Sequence, residues 1–245
     1  MLRRLLRQLL TIAPITSAGA SKIAGVSELA AHRDQTLGCT RCALAAGRTQ
    51  VVFGSGDPNA DLMFVGEAPG FHEDQQGVPF VGQAGKLLDT LLAGIDLGRA
   101  DVYIANVLLC RPPGNRDPQP EEIAACESHL FRQIELIRPQ LVATLGNFAT
   151  KLLSGKPAGI TRVHGIPQHV TLGGNEVTLY PLYHPAAALY TRAMLSVLEQ
   201  DFARIPQLLG QKADVATEPP LAEPEPEPEP EPELQLEPAV QLGLF

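Results

Sequence analysis

No stretch of this 245-residue sequence approaches the ~18 to 20 consecutive apolar residues that a membrane-spanning helix needs. Tryptophan is absent, and cysteine is scarce, with four residues in the whole chain. Disulfide frameworks are typical of short, core-poor secreted domains, whereas this chain is long and 44% of it is hydrophobic. The sequence therefore predicts a packed core without a disulfide framework and without a membrane span.

Basic residues are missing from one part of the chain. From Thr217 onward the sequence contains eight glutamates and neither lysine nor arginine, which leaves 19 acidic and 19 basic residues before that point. The formal net charge of -8 therefore belongs to the C-terminal tail, and the body is neutral. A neutral body does not exclude nucleic acid as a partner, because binding depends on where the basic residues cluster.

The two ends of the chain differ in composition from the part between them. Residues 211–240 are rich in proline and glutamate without apolar periodicity, which predicts an extended, disordered linker. Residues 1–24 are predicted to be a flexible leader, because the apolar stretch after their arginines is interrupted by Thr, Pro and Ser and makes a poor export signal. Residues 25–210 are long enough to form one domain.

Four short, nearly all-apolar segments predict strands that are buried on both faces of a parallel sheet. They are ADLMFVG (60–66), DVYIANVLL (101–109), QLVATLG (140–146) and EVTLYPLYH (176–184). Segments with helical spacing alternate with them: GQAGKLLDTLLAGIDL, PQPEEIAACESHLFRQIELI, NFATKLLSG and a last helix at about 191–209. The pattern predicts an α/β fold, a three-layer α/β/α domain around a central, mostly parallel four-stranded sheet.

Uncommon residues fall where these strands end. GEAPG (66–70) closes the first strand, Asn106 and CRPPGNR (110–116) close the second, and HPAAAL (184–189) closes the fourth. The carboxyl ends of parallel strands meet at one edge of a sheet, where such folds bind their ligands. We therefore expect the active site at this edge.

The four cysteines suggest a metal centre. Cys39 and Cys42 form a C-x-x-C pair, Cys110 follows the second strand, and Cys126 lies on the helix after it. The close pair can chelate one centre, and the other two cysteines can complete a four-thiolate site. This spacing suits a tetrahedral zinc ion and a four-iron cluster equally well.

Taken together, GEAPG, NVLLCRPPGNR, YHPAAAL and the four cysteines resemble the family 4 uracil-DNA glycosylases, the iron-sulfur type of bacteria and archaea. The resemblance implies an enzyme that flips deoxyuridine out of DNA and hydrolyses the N-glycosidic bond, leaving an abasic site for base excision repair. It also implies a [4Fe-4S] cluster, with Cys39, Cys42, Cys110 and Cys126 as ligands. Both ends of the chain lie outside the resemblance.

The resemblance assigns roles to particular residues. It implies that Phe80 stacks on uracil, that Asn106 reads the edge that distinguishes uracil from cytosine, and that His184 stabilises the departing uracil anion. Other expected substrate contacts come from the first motif, at Gly66, Ala68 and Gly70. The DNA wedge loop is expected to comprise Pro185, Leu189, Tyr190 and Arg192, with Leu189 or Tyr190 entering the minor groove.

Two positions depart from the first uracil-DNA glycosylase family. Ala68 stands where that family has the aspartate that orients the attacking water, so the predicted catalytic groups beside His184 are Glu67, Glu73 and Asn115. Gly70 stands where that family has a tyrosine against the thymine methyl, so thymine must be excluded in another way.

Two alternative functions differ from hydrolysis. A related class traps uracil-DNA covalently through a histidine in a basic insertion, and its first motif reads Gly-Glu-Gln-Pro-Gly; here Ala68 replaces that glutamine and CRPPGNRDPQ carries no such insertion. The other alternative is a non-catalytic, DNA-binding iron-sulfur module. Release of uracil distinguishes hydrolysis from both.

The last five residues, QLGLF, resemble the pentapeptide by which bacterial polymerases and repair proteins dock on the sliding clamp. Leu242, Leu244 and Phe245 are expected to fill a hydrophobic groove of the clamp, and Gln241 to form a hydrogen bond at its edge. An extended Glu-Pro run would span ~34 Å and serve as the tether. We thus expect a monomeric, cytoplasmic, nucleoid-associated bacterial enzyme whose partners are uracil-containing DNA and the clamp.

Overall fold

The computed structural model describes residues 17–210, with side chains from Gly25 onward. At its centre is a six-stranded sheet with the strand order β1-β3-β2-β4-β6-β5. The strands are β1 (Ser55–Gly56), β2 (Leu62–Gly66), β3 (Tyr103–Asn106), β4 (Leu141–Leu145), β5 (Gln168–Leu172) and β6 (Asn175–Leu182). The four inner strands are parallel, and β1 and β5 pair antiparallel at the two edges.

The four inner strands are those predicted from sequence, but the predicted count of four is wrong because it omits the edges. β1 is two residues long and contains Gly56, so it has no apolar run. β5 reads QHVTL, and its burial alternates between partly buried and exposed residues. An edge strand with one solvated face carries little of the apolar signal that identifies a buried parallel strand.

Helices cover both faces of the sheet. They are α1 (Ser17–Leu37), α2 (Phe71–Gln76), α3 (Gln83–Ala93), α4 (Pro120–Ile137), α5 (Asn147–Ser154), α6 (Ile160–Val163), α7 (Pro185–Tyr190), α8 (Arg192–Ala203) and α9 (Ile205–Gly210). The predicted last helix is divided between α8 and α9, because Pro206 has no N–H to donate into the helix before it. In addition, α1 begins at Ser17, inside the range predicted to be a flexible leader.

Two hydrophobic cores lie on opposite faces of the sheet, because successive strand residues point to opposite sides. Met63 and Val65 of β2 pack in one core with residues of α1, α4 and α5. Leu62 and Phe64 pack in the other with residues of α3, α8 and α9. The predicted three-layer α/β/α architecture is confirmed. Within residues 17–210, none of the helices combines the length and the apolarity that a bilayer span requires.

An ion pair anchors the segment after β3 to the start of α4. Arg116 donates to both carboxylate oxygens of Glu122, at 2.9 and 2.5 Å, and the pair holds the pKa of Glu122 below its usual range. Glu122 also accepts from the backbone N–H of Gln119, as one half of a capping box at the first turn of α4. The CRPPGNR segment is thereby held beside the ends of the strands.

Candidate active site

A cleft of about 690 Å³ opens at the carboxyl ends of the inner strands. Its walls come from the segments after β2, β3 and β6, as the sequence motifs predict. The lining residues are Glu67, Ala68, Pro69, Gly70, Phe71, His72, Glu73, Phe80, Gly82, Gln83, Ala84, Asn106, Pro112, Asn115, Arg116, His184, Ala186 and Tyr190. Its volume is in the range of small-molecule sites.

Gly66 lies at the point where two functional side chains meet. A Cβ added there would be 2.4 Å from Asn106 Oδ1 and 2.6 Å from Phe80 Cζ. A larger residue at position 66 would therefore displace the amide or the ring. Asn106, at the end of β3, is only 2% exposed, and its Oδ1 has no hydrogen-bond partner among the residues that the structure describes.

Phe80 is held in a strained backbone conformation. Its φ of 55° lies in the left-handed region, which is costly for a bulky residue unless the surroundings impose it. Arg99 donates to the carbonyl oxygens of Pro79, at 3.0 Å, and of Phe80. Gly85 provides the necessary space, since a Cβ there would lie 1.7 Å from Phe80 O.

His184 caps the N-terminus of α7, and its tautomer follows from that contact. The backbone N–H of Ala186 donates to His184 Nδ1 at 3.1 Å, so a neutral ring carries its proton on Nε2. Burial lowers the pKa of His184 to about 4, and the opposing effect of Glu73 is smaller. The ring stacks on Phe80, with centroids 5.5 Å apart and planes inclined by 27°. His184 is thus a neutral Nε2–H donor beside an aromatic surface.

The two predicted catalytic carboxylates have different surroundings. Glu73 Oε1 accepts from the backbone N–H groups of Val81 and Gly82, at 2.9 and 2.8 Å, and so fixes the turn that begins α3. Glu67 is partly buried, and burial, with a smaller effect of Asp117, raises its pKa. A carboxylate with a raised pKa is better suited to accept a proton near neutral pH.

Asn115 lines the cleft from the segment after β3. It adopts a left-handed conformation, with φ of 56°, which asparagine tolerates better than most residues. Its Oδ1 accepts from Arg111 Nε at 2.7 Å. Glu67, Glu73 and Asn115 all line the same cleft as His184.

The predicted wedge loop forms α7 and the residues after it. Pro185 is buried, whereas Leu189 is 47% exposed and Tyr190 is 90% exposed. α7 packs against α3 and α8, and these contacts hold the exposed segment in position. Of the two wedge candidates, Tyr190 is the more exposed and the one that lines the cleft. Arg192 is exposed at the first turn of α8.

The four cysteines line a second, smaller cavity, and all four are free thiols. Arg48 Nη1 donates to the carbonyl of Cys39, at 2.5 Å, and to Cys110 Sγ, at 3.5 Å. The N–H of Leu109 donates to Cys126 Sγ at 3.4 Å. Burial raises the pKa of Cys110 and that of Cys126, the latter to about 12. Metal binding would therefore displace protons from these thiols.

Among residues 17–210 there is no group of three or more Cys, His, Asp or Glu side chains arranged to hold one metal ion. The cysteines instead surround a cavity, and N–H groups already point at two of their sulfurs. Four thiols around a cavity are the donor set of a tetrahedral metal ion or of an iron-sulfur cluster. The donor set matches the four-cysteine ligation of iron-sulfur clusters.

Sequence reasoning missed the residues that hold the site together. Arg99 and Gly85 constrain Phe80, and Arg48 connects two of the cysteine segments. Arg48 lies within the GCTRCALAAGRTQ segment, where a basic residue close to a C-x-x-C pair is a usable signal. No comparable signal marks Arg99, because its contacts with the Phe80 segment exist only in the folded chain.

Comparisons with known proteins agree with this geometry. Residues 53–205 match the model of the uracil DNA glycosylase superfamily. A type-4 uracil-DNA glycosylase of Archaeoglobus fulgidus is 46% identical over 182 residues, which are 73% of this chain and 92% of the relative. The type-4 enzyme of Sulfurisphaera tokodaii is 45% identical, with coverage of 72% and 82%. That of Thermotoga maritima is 47% identical, with coverage of 63% and 80%.

Proposed function

The chain belongs to the uracil-DNA glycosylase superfamily, in its type-4 branch, and on that premise we propose that it removes uracil from DNA by hydrolysing the N-glycosidic bond. The observation that carries this proposal is the buried, unpartnered Oδ1 of Asn106. An unpaired buried polar atom costs about 1 to 3 kcal/mol, which a ligand can offset by supplying the missing donor. The product is an abasic site, the starting point of base excision repair.

Asn106 can distinguish uracil from cytosine by its two amide atoms. Oδ1 accepts a hydrogen bond from uracil N3–H, and Nδ2 donates to O4. Cytosine has a lone pair at N3 and an amino group at position 4, so both contacts would be reversed. Gly66 leaves the space for this amide, and Phe80 supplies a ring on which the base can stack.

Leaving-group stabilisation is the proposed role of His184. Water adds to C1′ of the sugar, the bond from C1′ to N1 breaks, and its electron pair departs with uracil. The resulting negative charge spreads to O2, where the His184 Nε2–H donates to it. The proton that the added water loses finally neutralises the uracil anion. The lowered pKa of His184 supports this role. With a pKa of about 4, the ring is neutral at neutral pH and presents its Nε2–H as the donor.

In this proposal several hydrogen bonds position the attacking water, in place of the single aspartate that the first uracil-DNA glycosylase family has at the position of Ala68. Glu67 and Asn115 both line the cleft, and either side chain can accept a hydrogen bond from water. Glu73 acts beside them as the residue that fixes the Val81–Gly82 turn. Tyr190 fills the gap left by the flipped nucleotide, and Arg192 contacts the backbone phosphates.

A single-turnover assay on an oligonucleotide with one deoxyuridine tests the function. The proposal predicts free uracil and an intact strand with one abasic site, both identified by mass spectrometry. A stable adduct of protein and DNA would indicate covalent trapping instead. Binding without any change to the DNA would indicate a non-catalytic module, and both results contradict the proposal.

The proposed cofactor is a [4Fe-4S] cluster held by Cys39, Cys42, Cys110 and Cys126. When bound, such a cluster crosslinks the segments that carry its cysteines. Those segments are the chain between α1 and β1, the end of the β3 segment, and α4. The four-cysteine cavity supports this assignment, as does the Arg48 N–H directed at a cysteine sulfur.

Replacing Arg48 with methionine is expected to speed loss of the cluster in air about tenfold, the scale of outer-shell changes at metal sites. The substitution keeps a long side chain but removes the donors to Cys39 and Cys110. The measurements are iron and sulfide content and the decay of the brown absorbance at the blue end of the visible range. Arg41→Met is the matched control, since Arg41 lines the same cavity but donates to Ser128. A colourless protein with stoichiometric zinc would contradict the cluster itself.

The tail is proposed to bind the sliding clamp through Gln241, Leu242, Leu244 and Phe245, which lie outside the described residues. We propose residues 211–240 as the linker to the domain of residues 25–210. Tethering raises the local concentration of an enzyme without a change to its active site. A monomer in the bacterial cytoplasm, working at the nucleoid, fits this proposal.

Deletion of residues 241–245 is expected to abolish binding to a bacterial clamp and to leave uracil release from free oligonucleotides unchanged. The measurements are surface plasmon resonance on immobilised clamp and the single-turnover assay. Replacing only Leu244 and Phe245 with alanine keeps the length of the tail and should give the same result. Undiminished clamp binding by either variant would contradict the proposal.

A further inference from the structure

Phe71 is an exposed aromatic residue at the mouth of the cleft. It is the first residue of α2, directly after the GEAPG motif, and 52% of its surface is exposed. The residue also lines the cleft that contains Asn106 and His184. Single exposed apolar side chains are common on protein surfaces, so the relevant observations are the place of Phe71 in the cleft wall and the contacts that hold its ring.

The Phe71 ring is held in place although it is exposed. The guanidinium of Arg111 lies over the ring, 5.1 Å from its centroid, and the ring of His72 meets it edge-on at 5.5 Å between centroids. Arg111 is itself fixed by its hydrogen bond from Nε to Asn115 Oδ1. These contacts connect Phe71 to the segment after β3 and reduce the entropy that the ring would lose on binding a ligand.

The expected substrate presents a suitable partner at this point. When a deoxyuridine enters the cleft, each neighbouring base on the same strand loses one stacking partner. Aromatic side chains stack on any nucleobase and do so without reading sequence. Tyr190 lines the same cleft from α7 and is already assigned to the gap in the helix, which leaves Phe71 for a neighbouring base.

We propose that Phe71 stacks on a nucleobase next to the flipped deoxyuridine, on the same strand, and so holds the strand at the mouth of the cleft. The inference rests on the proposed glycosylase function and adds a substrate contact to it. The contact is independent of sequence and matters most in single-stranded DNA, where pairing does not hold the neighbouring base.

The test compares two single-stranded oligonucleotides, one with normal bases around a single deoxyuridine and one with tetrahydrofuran abasic residues on both sides of it. On the normal substrate, Phe71→Ala should lower kcat/KM about tenfold. Phe71→Trp should restore it, and Phe71→Leu, which is apolar but has no π-face, should not. Ile166→Ala is the matched control, because Ile166 is similarly exposed, at 54%, and does not line the cleft.

Stacking makes a further prediction that a structural role does not share. Changing from the normal to the abasic-flanked substrate should lower kcat/KM of the wild-type protein about as much as Phe71→Ala lowers it on the normal substrate. For Phe71→Ala, the same change of substrate should not lower kcat/KM further. Three results would each overturn the proposal. Phe71→Ala could lower kcat/KM equally on both substrates, it could have the kcat/KM of the wild-type protein, or Phe71→Leu could restore kcat/KM fully.

Failure of the glycosylase function gives a different result. In that case the wild-type protein releases no uracil from either oligonucleotide. Fluorescence anisotropy of the same variants on the same oligonucleotides then tests the contact on its own. The stacking proposal predicts the same non-additive pattern in Kd, and an additive pattern overturns it.

Discussion

His184→Ala slows uracil release at least about 100-fold under single-turnover conditions, if the ring donates to the departing anion as proposed. Affinity for uracil-containing DNA should remain close to that of the wild-type protein, because the developing charge exists only in the transition state. His184→Ala also removes the side-chain cap on the first turn of α7, so the Kd serves as the check that the segment carrying Tyr190 still binds DNA. The measurements are the single-turnover rate and the Kd for an uncleavable deoxyuridine analogue.

His184→Gln is the matched variant, since its amide keeps an N–H donor in a different position. It should recover part of the lost rate, whereas a purely structural role for the ring predicts no such recovery. An unchanged rate in His184→Ala would end the assignment.

The charge state of His184 can be checked through pH. Its pKa in the folded protein is about 4, well below the ordinary value of about 6.5. Titration of this ring should therefore cause no change in the rate of uracil release near pH 6.5. The unfolded chain takes up the proton near the ordinary value, before the folded protein does. The contribution of the neutral ring to stability is thus complete above that value and is lost as pH falls toward 4. Nitrogen NMR of labelled histidines reports both the pKa and the Nε2–H tautomer.

Asn106→Asp should have the second large effect, a fall of about 100-fold or more in the preference for uracil over cytosine. A carboxylate can accept from uracil N3–H but cannot donate to O4, so uracil loses a contact and gains a repulsion. The 4-amino group of cytosine can instead donate to the carboxylate. Release of each base from matched oligonucleotides, measured by mass spectrometry, gives the ratio.

Asn106→Ala separates base reading from general damage to the pocket. It should release uracil more slowly and should not release cytosine faster, because alanine offers neither a hydrogen-bond donor nor an acceptor. If Asn106→Asp keeps a strict preference for uracil, Asn106 does not read the base edge.

The sequence predicts the inner strands and the side chains proposed to contact the base. It predicts less well the edge strands and the residues that hold those side chains in position. Runs such as LMFVG in β2 are buried on both faces and leave a continuous apolar signal. The edge strands β1 and β5 leave no such signal, because each is short or partly solvated. The break between α8 and α9 depends on Pro206 within an otherwise helical pattern.

The same distinction applies to the site. Asn106 and His184 can be located from the ends of their strands, because parallel strands bring those ends to one edge. The strained backbone of Phe80 and the contacts of Arg99 with it arise only from tertiary packing. Local sequence carries little information about contacts of this kind.

A crystal structure of the protein with abasic product DNA and free uracil tests the central claim most directly. The account predicts uracil stacked on Phe80, with its N3–H within hydrogen-bond distance of Asn106 Oδ1 and its O2 within that distance of His184 Nε2. Uracil bound elsewhere in the cleft, or in this pocket with its O2 and N3 facing neither side chain, would contradict it.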